Sequence, residues 1–278
     1  MEFDKSLFER LFTESKGAED HSLLAPAPAL SRLMLDTQYR MHPEICAFPS
    51  GEFYNGSLRT GVRPINRPLF DSAFPWPPSQ SGDGDLARMV FIDCPAREEL
   101  GGKSKSNKGQ ADLCLRVCQL LCAPRGAKSG QSNNTTQSNH TQDMQSVAVL
   151  TPYAKQAELL TRLLSPLASS SKKVEVSSID GFQGREADVV VLVTVRCNES
   201  GEIGFLKDLR RMNVALTRAR AGVVIVGSRE TLTGTARSPG VGGKVEEGAG
   251  DEGKGLWRRL IGGLVSVGVE ALEAGESK

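Results

Sequence analysis

The chain has 278 residues, 39% of them hydrophobic and 24% charged, with a formal net charge of +1. Such a composition is ordinary for a globular protein and excludes a uniformly basic nucleic-acid binder, so any contact with phosphates must be local. Six cysteines in this length make no disulfide scaffold, no run approaches the roughly 18 apolar residues of a membrane span, and the opening MEFDKSLFER has no apolar core of a signal peptide. One large domain or two small ones in a reduced compartment, cytosol or nucleus, is the expectation.

Residues 5–12 (KSLFERLF) put Leu7, Phe8, Leu11 and Phe12 on one helical face, and residues 14–31 form a loop rich in Ala and Pro. RLMLD (32–36) reads as a short strand running into the polar cluster Gln38 to Pro43. Residues 59–87 are dense in Pro, Gly and Ser and read as irregular. MVFIDC (89–94) reads as a buried strand and residues 109–122 as an amphipathic helix. Residues 123–146 have almost no apolar content and read as a disordered insertion. A strand over 147–150, a helix over 153–167 and a strand over 174–178 follow. The β-branched run DVVVLVTV (188–195) predicts a strand covered on both faces. A helix over 207–220, a strand over 222–227, a mobile Gly-rich stretch over 233–255 and a short closing helix within 256–266 complete the chain. Strands alternating with helices predict an α/β fold, a parallel, doubly wound sheet flanked by helices.

Four polar clusters fall at ends of these strands, at the edge where open α/β sheets bind ligands. They are QYRMHP (38–43), TPY (151–153), DGFQGRE (180–186) and RRMNVALTRAR (210–220). On the predicted last helix, Leu209, Met212, Leu216 and Ala219 face a core, while Arg211 and Arg218, seven apart, share another face. Two guanidiniums held there suit phosphate, because Arg is always charged and presents a planar fork. A solvated basic face is the other reading of the same pair.

NVALTRAR preceded by IGFLKDLRR, DGFQGRE followed by DVVVLVTVRCN, QYRMHPEICAFPSGEFYNGSL and VAVLTPYAKQ together resemble the motifs of superfamily 1 helicases of the nonsense-mediated-decay and senataxin type. Their order agrees too, and the resemblance covers roughly residues 5–229 apart from the insertions. It implies a RecA-like fold: a helix and loop (1–31) trailing from a first motor domain, then a second RecA-like domain (32–229) interrupted by the insertion 123–146. A Gly-rich segment (230–255) and a C-terminal helix and tail (256–278) would follow.

In that family ATP lies between two RecA-like domains. The resemblance implies that Arg40 and Arg218 reach the γ-phosphate of ATP, with Mg²⁺ held by the first domain, and that a positioned Arg stabilises the charge of the transferring group. It places Tyr39 by the base or ribose, Glu186 on a ribose hydroxyl, Gln183 and Gly184 in a turn linking nucleotide to nucleic acid, and Arg211 near the nucleotide. Tyr39 as a packed aromatic, Glu186 as a solvated acid and Arg211 as an ion-pair residue remain open. Single-stranded RNA or DNA would run along Thr151, Pro152, Tyr153, Ser177 and Ser178, contacts that read backbone rather than sequence. Simple helix capping by Thr151 is the plainer alternative. His42 reads as structural, and no metal site is expected.

Gly101-Gly102-Lys103-Ser104 invites a P-loop assignment, but the required earlier glycine is Arg97, and Glu98 and Glu99 would repel phosphate. Ser104, Asn107 and Gln110 instead fit the family's S-x-x-N-x-x-E pattern with Gln for Glu, a capping feature. Cys114, Cys118 and Cys122 form a stripe better suited to a core than to a metal. Neither a P-loop nor a strand ending in Asp-Glu is found, so the chain is expected to begin in mid-protein, to need a P-loop domain in cis, and to be inactive alone. The expected function is the second motor domain of an ATP-dependent helicase, on RNA rather than DNA. The competing function is a non-catalytic nucleic-acid-binding or interaction module.

Overall fold

The computed structural model describes residues 35–80, 84–99, 104–125, 145–169, 173–235 and 252–273. The chain divides into two units, Met1–Asp36 and Thr37–Lys278. The helix expected over 5–12, the loop over 14–31 and most of the strand over 32–36 lie outside the described residues, as do the core of the polar insertion (126–144) and of the Gly-rich stretch (236–251).

In the second unit, six parallel strands form one sheet. They are β3 (Met89–Asp93), β4 (Ser146–Thr151), β5 (Lys173–Ser178), β6 (Ala187–Val193), β7 (Ala219–Gly227) and β8 (Val265–Ser266), in the spatial order β5-β4-β6-β7-β3-β8. A separate ribbon pairs β1 (Thr37–Gln38) with β2 (Arg59–Thr60). The helices are α1 (Pro43–Tyr54), α2 (Lys108–Cys122), α3 (Ala154–Leu164), α4 (Leu209–Leu216), α5 (Arg229–Thr233), α6 (Glu252–Gly262) and α7 (Val269–Glu273). This is the predicted α/β class, a parallel sheet flanked by helices.

Alternation along the strands builds two cores. Val90 and Ile92 of β3 join Val149, Val191, Val224 and Cys114, Cys118 and Leu121 of α2 on one face. Phe91 joins Leu150, Leu192, Ile225, Met212, Leu216, Phe182 and Trp257 on the other. Successive side chains of a strand point to opposite faces, so a strand between two helical layers is apolar at every position. Each such aliphatic side chain contributes about 1.5–3 kcal/mol by burial.

The element ends depart from the sequence expectations in instructive places. The helix predicted over 153–167 stops at Leu164 and tightens into a 3₁₀ turn, Ser165–Ser169, because Pro166 cannot donate to the ladder. The helix predicted over 207–220 spans only Leu209–Leu216, started by Asp208, whose carboxylate accepts from the Arg210 and Arg211 N–H groups. Ala219, expected on that helix, already pairs with Ala187 in the sheet. The closing segment is not just a helix and tail: α6 begins at Glu252, inside the stretch expected to be mobile, and β8 then joins the sheet beside β3. The strand expected to reach Val195 ends at Val193.

Val195 instead adopts φ 70°, a conformation costly for a β-branched residue. Its N–H donates to Gln110 Oε1 (2.7 Å) and its carbonyl accepts from Asn107 Nδ2 (2.9 Å). Asn107 does cap α2, accepting from the Gln110 N–H. Gln110, expected to complete a capping box, holds this turn instead; the Asn107 N–H donates to Gln156 Oε1 (2.7 Å). Two buried amides thus hold a strained turn at the end of β6.

Between β5 and β6 no α-helix intervenes, only a 3₁₀ turn at Asp180–Phe182. Residues 179–186 cross one face of the sheet directly, with Ile179 and Phe182 buried in the core.

Candidate functional site

The polar clusters do not share one edge, contrary to the sequence expectation. Each parallel strand starts at one rim of the sheet and ends at the other. Glu186 and Arg218 immediately precede β6 and β7, so they lie at the starting rim, whereas Thr151 and Ser178 close β4 and β5 at the finishing rim. The crossover 179–186 and helix α4 each have one end at each rim, which is why a single motif feeds both.

At the starting rim, the bend between β1 and α1 is built by Gln38. Its Oε1 accepts from the N–H groups of Arg40 (2.8 Å) and Met41 (2.7 Å), and its Nε2 donates to Met41 O (2.9 Å) and Thr60 Oγ1 (2.7 Å). Arg67 grips the same bend, donating from Nε to Arg40 O (2.7 Å) and from Nη2 to Tyr39 O (2.9 Å). Arg88, itself buried, donates to Arg67 O (2.8 Å). The Arg40 guanidinium then meets Glu186 Oε2 (2.7 Å) and donates to the Thr217 carbonyl (2.9 Å).

Arg218 reaches the same residue. It donates to Thr217 Oγ1 (3.0 Å), to Val214 O (3.0 Å) and to Arg185 O (3.5 Å). Burial, with the neighbouring Arg40 charge, pulls its pKa below the usual guanidinium value. The Glu186 carboxyl is held low by the hydrogen bond from Arg40, against partial burial, with the charges of Arg40, Arg220 and Arg67 adding to the effect. Arg220 also approaches Glu186 (3.8 Å) and Asp188 (3.7 Å). Four guanidiniums therefore gather around two carboxylates, an excess of positive charge that favours an anion.

Tyr39 is 70% exposed, so it is not a packed core aromatic. A Cβ built on Gly61 would lie 2.2 Å from Tyr39 Cε1, so the ring packs closely against bare backbone while most of it stays open to solvent.

At the finishing rim, Thr151 is fully buried and its hydroxyl has no hydrogen-bond partner among the described residues. It does not cap α3: the N-cap is Tyr153, with no side-chain capping bond, and the Lys155 N–H donates to Ser104 Oγ (3.2 Å). Pro152 is half-buried and Tyr153 buried, its phenol pushed up in pKa by burial. Ser177 and Ser178 are half-buried, and Ser178 Oγ accepts from the Gly181 N–H (3.0 Å). The loops here are tied by Glu98, which receives Lys105 Nζ (2.8 Å), Arg196 Nε (3.2 Å), the Cys197 N–H and Asn198 Nδ2. Burial opposes its charge, yet these donors keep its carboxyl below the usual range.

Residues 3–230 match the family described as an AAA domain. The chain belongs to that family. Over 234 residues it is 37% identical to the "ATP-dependent helicase NAM7" of Saccharomyces cerevisiae, an alignment covering 82% of this chain and 20% of that one. It is 36% identical over 234 residues to "Regulator of nonsense transcripts 1 homolog" of Arabidopsis thaliana, covering 82% and 16%. It is 33% identical over 234 residues to "ATP-dependent helicase upf1" of Schizosaccharomyces pombe, covering 82% and 21%. The chain thus spans about a fifth of the length of these relatives. This AAA domain is a superfamily 1 helicase domain of the nonsense-mediated-decay type.

The AAA domain separates Arg211 from Arg218. Arg211 stands in the first turn of α4, paired with Asp180 (3.2 Å) and Asp208 (3.5 Å), and Arg218 lies two residues beyond the helix end. The shared helical face expected from their spacing is therefore absent, because the chain has turned into β7 before Arg218. Gln183 and Gly184 are exposed within the crossover, Gly184 at φ 81°. His42 is the N-cap of α1, its Nδ1 accepting from the Glu44 N–H (3.2 Å); burial and then Arg88 lower its pKa to about 4. Cys114 and Cys118 are fully buried in the core beneath α2. Among the described residues, no group of three His, Cys, Asp or Glu could hold a metal ion, and no helix is long and apolar enough to cross a membrane. Sequence reasoning missed Arg67, Arg220 and Gly61. Arg220 stood in the motif itself, but Gly61 and Arg67 lie in a stretch without periodicity.

Proposed function

We propose that this helicase-family domain is the second motor domain of an ATP-dependent nucleic-acid helicase, acting on RNA rather than DNA. Arg40 and Arg218 reach the γ-phosphate of an ATP whose P-loop and Mg²⁺ ligands come from another domain. Supporting this above all is the meeting of the two guanidiniums on Thr217, one at its carbonyl and one at its hydroxyl. A loose phosphoryl-transfer transition state spreads negative charge over equatorial oxygens, and fixed donors stabilise it without reorganising. Tyr39 stacks on the base, and Glu186 accepts from the ribose. When nucleotide binds, Glu186 still has Arg220 beside it as Arg40 swings to phosphate. At the opposite rim Pro152, Ser177 and Ser178 follow the backbone of a single strand from the surface, with Thr151 and Tyr153 buried just beneath them and Gln183 and Gly184 in the link between. Arg211, held by Asp180 and Asp208, connects to the nucleotide only through that link.

The test joins this chain to the P-loop domain of a relative and measures ATP hydrolysis with and without single-stranded RNA. RNA-stimulated turnover is expected from the joined protein and none from the chain alone. Turnover by the chain alone, abolished by a change at Arg218, would show the division of labour to be wrong.

Gly61→Ala in the joined protein gives a second measure. The added methyl must push the Tyr39 ring off its seat, and losing an aromatic stack costs about 0.5–1.5 kcal/mol, roughly two- to tenfold in Kd. Calorimetric titration with a non-hydrolysable ATP analogue should show that loss, while a purely triphosphate ligand binds unchanged. Equal weakening of both would place the damage elsewhere than at the base.

A further inference from the structure

Phe205 is half exposed in a loop that is otherwise anchored. It belongs to the 3₁₀ turn Gly204–Lys207, between Ile203 and Leu206, and both of those neighbours are buried in the core. The Leu206 carbonyl accepts from Trp257 Nε1 (3.1 Å). A Cβ at Gly204, which has φ 55°, would come within 2.7 Å of the Tyr153 hydroxyl, so the turn is pressed against the strand end. The backbone is therefore fixed, and the ring is aimed outward by its own frame rather than left loose.

Its surroundings are those of the finishing rim. The Tyr153 ring lies 5.4 Å away at 52°, and the Arg211 guanidinium stands 5.5 Å from the Phe205 centroid. Arg211 in turn pairs with Asp180, two residues after Ser178. An apolar ring, half open to water and set beside a guanidinium and the Tyr153 ring, fits a ligand with a flat π-face. Aromatic stacking with cationic neighbours is how sequence-independent binders hold single strands.

We infer that Phe205 is a stacking platform for a base of single-stranded nucleic acid, with Arg211 beside it. This rests on the helicase reading above, and it adds a base contact to a rim so far credited with backbone contacts alone. Stacking accepts any base, as a strand moving past the site requires.

The test uses the full chain and fluorescein-labelled oligouridylate, read by anisotropy. Phe205→Ala is expected to weaken binding by about five- to a hundredfold. Phe205→Tyr should restore it, and Phe205→Leu, which keeps apolar volume without a π-face, should not. Phe205→Trp should bind and be quenched on binding, against the steady background of Trp76 and Trp257, both buried. Phe205→Ala binding within twofold of the parent overturns the inference and leaves the helicase reading standing, as does Phe205→Leu binding as well as Phe205→Tyr. A parent chain that binds no oligouridylate or oligothymidylate overturns both.

Discussion

Arg218→Ala, in a protein where this domain faces a P-loop domain, is expected to lower ATP turnover by about 10³–10⁵-fold, the range that a positioned Arg supplies in phosphoryl transfer. The side chain is half-buried and makes three hydrogen bonds, two of them to the end of α4. Removing it leaves carbonyl groups near water, so the fold should lose only about 0.5–1.5 kcal/mol per bond. Arg218→Lys should fall between, because an ammonium keeps the charge but not the fork that spans Thr217 and Val214. Binding of single strands should hardly change, since their proposed contacts lie at the other rim. Steady-state hydrolysis with saturating RNA decides the matter: a rate within twofold of the parent means that Arg218 takes no part in the chemistry. Arg40→Ala should behave alike, and it also deprives Glu186 of its shortest ion pair.

Trp257→Ala is expected to destabilise the domain by about 3–5 kcal/mol, a large part of the 5–15 kcal/mol that holds a typical domain together. Trp257 is fully buried and packs with Leu206, Leu256, Leu260 and Ile261 on the second core. Truncation removes its large apolar area, leaves a cavity, and strands the Leu206 carbonyl without its donor. Trp257→Phe should cost less, since it refills most of the volume but not the hydrogen bond. Urea unfolding followed by circular dichroism should show a lower midpoint with an unchanged slope. A loss under about 1 kcal/mol would mean that α6 is an attachment rather than part of the folding unit.

What could be read in the sequence follows what is periodic. β6 and β7 were legible because β-branched runs buried on both faces leave an unbroken apolar signature, and the long strings around Arg40, Glu186 and Arg218 carried the family. The end of α4 was not, because Thr217 and Arg218 continue a helical pattern locally while sheet pairing from Ala219 overrides it. The Val195 turn was hidden in the same way: its residue type argues for strand, and only Asn107 and Gln110, far away in sequence, hold it otherwise. β8 is two residues long and has no pattern of its own; it exists because β3 offers an edge. Gly61, Arg67 and Phe205 act through close approach, backbone carbonyls and exposure, none of which leaves a period.

The crossover from Ser178 to Ala187 has a mechanical meaning. Eight residues separate the strands. Fully extended they would reach at most about 26–29 Å, and they must cover a sheet about 20 Å deep with a tight 3₁₀ coil at Asp180–Phe182 along the way. Backbone bonds from Phe182 to Ile179, Gln183 to Asp180 and Arg185 to Phe182 keep the link coiled, and Phe182 pins its middle to the core. A pull on Glu186 meets no α-helix to uncoil, as it would in the other crossovers of the sheet, and its path back to Ser178 is only eight residues long. The two rims are joined here by a short, pinned turn where the other crossovers of the sheet run through whole helices.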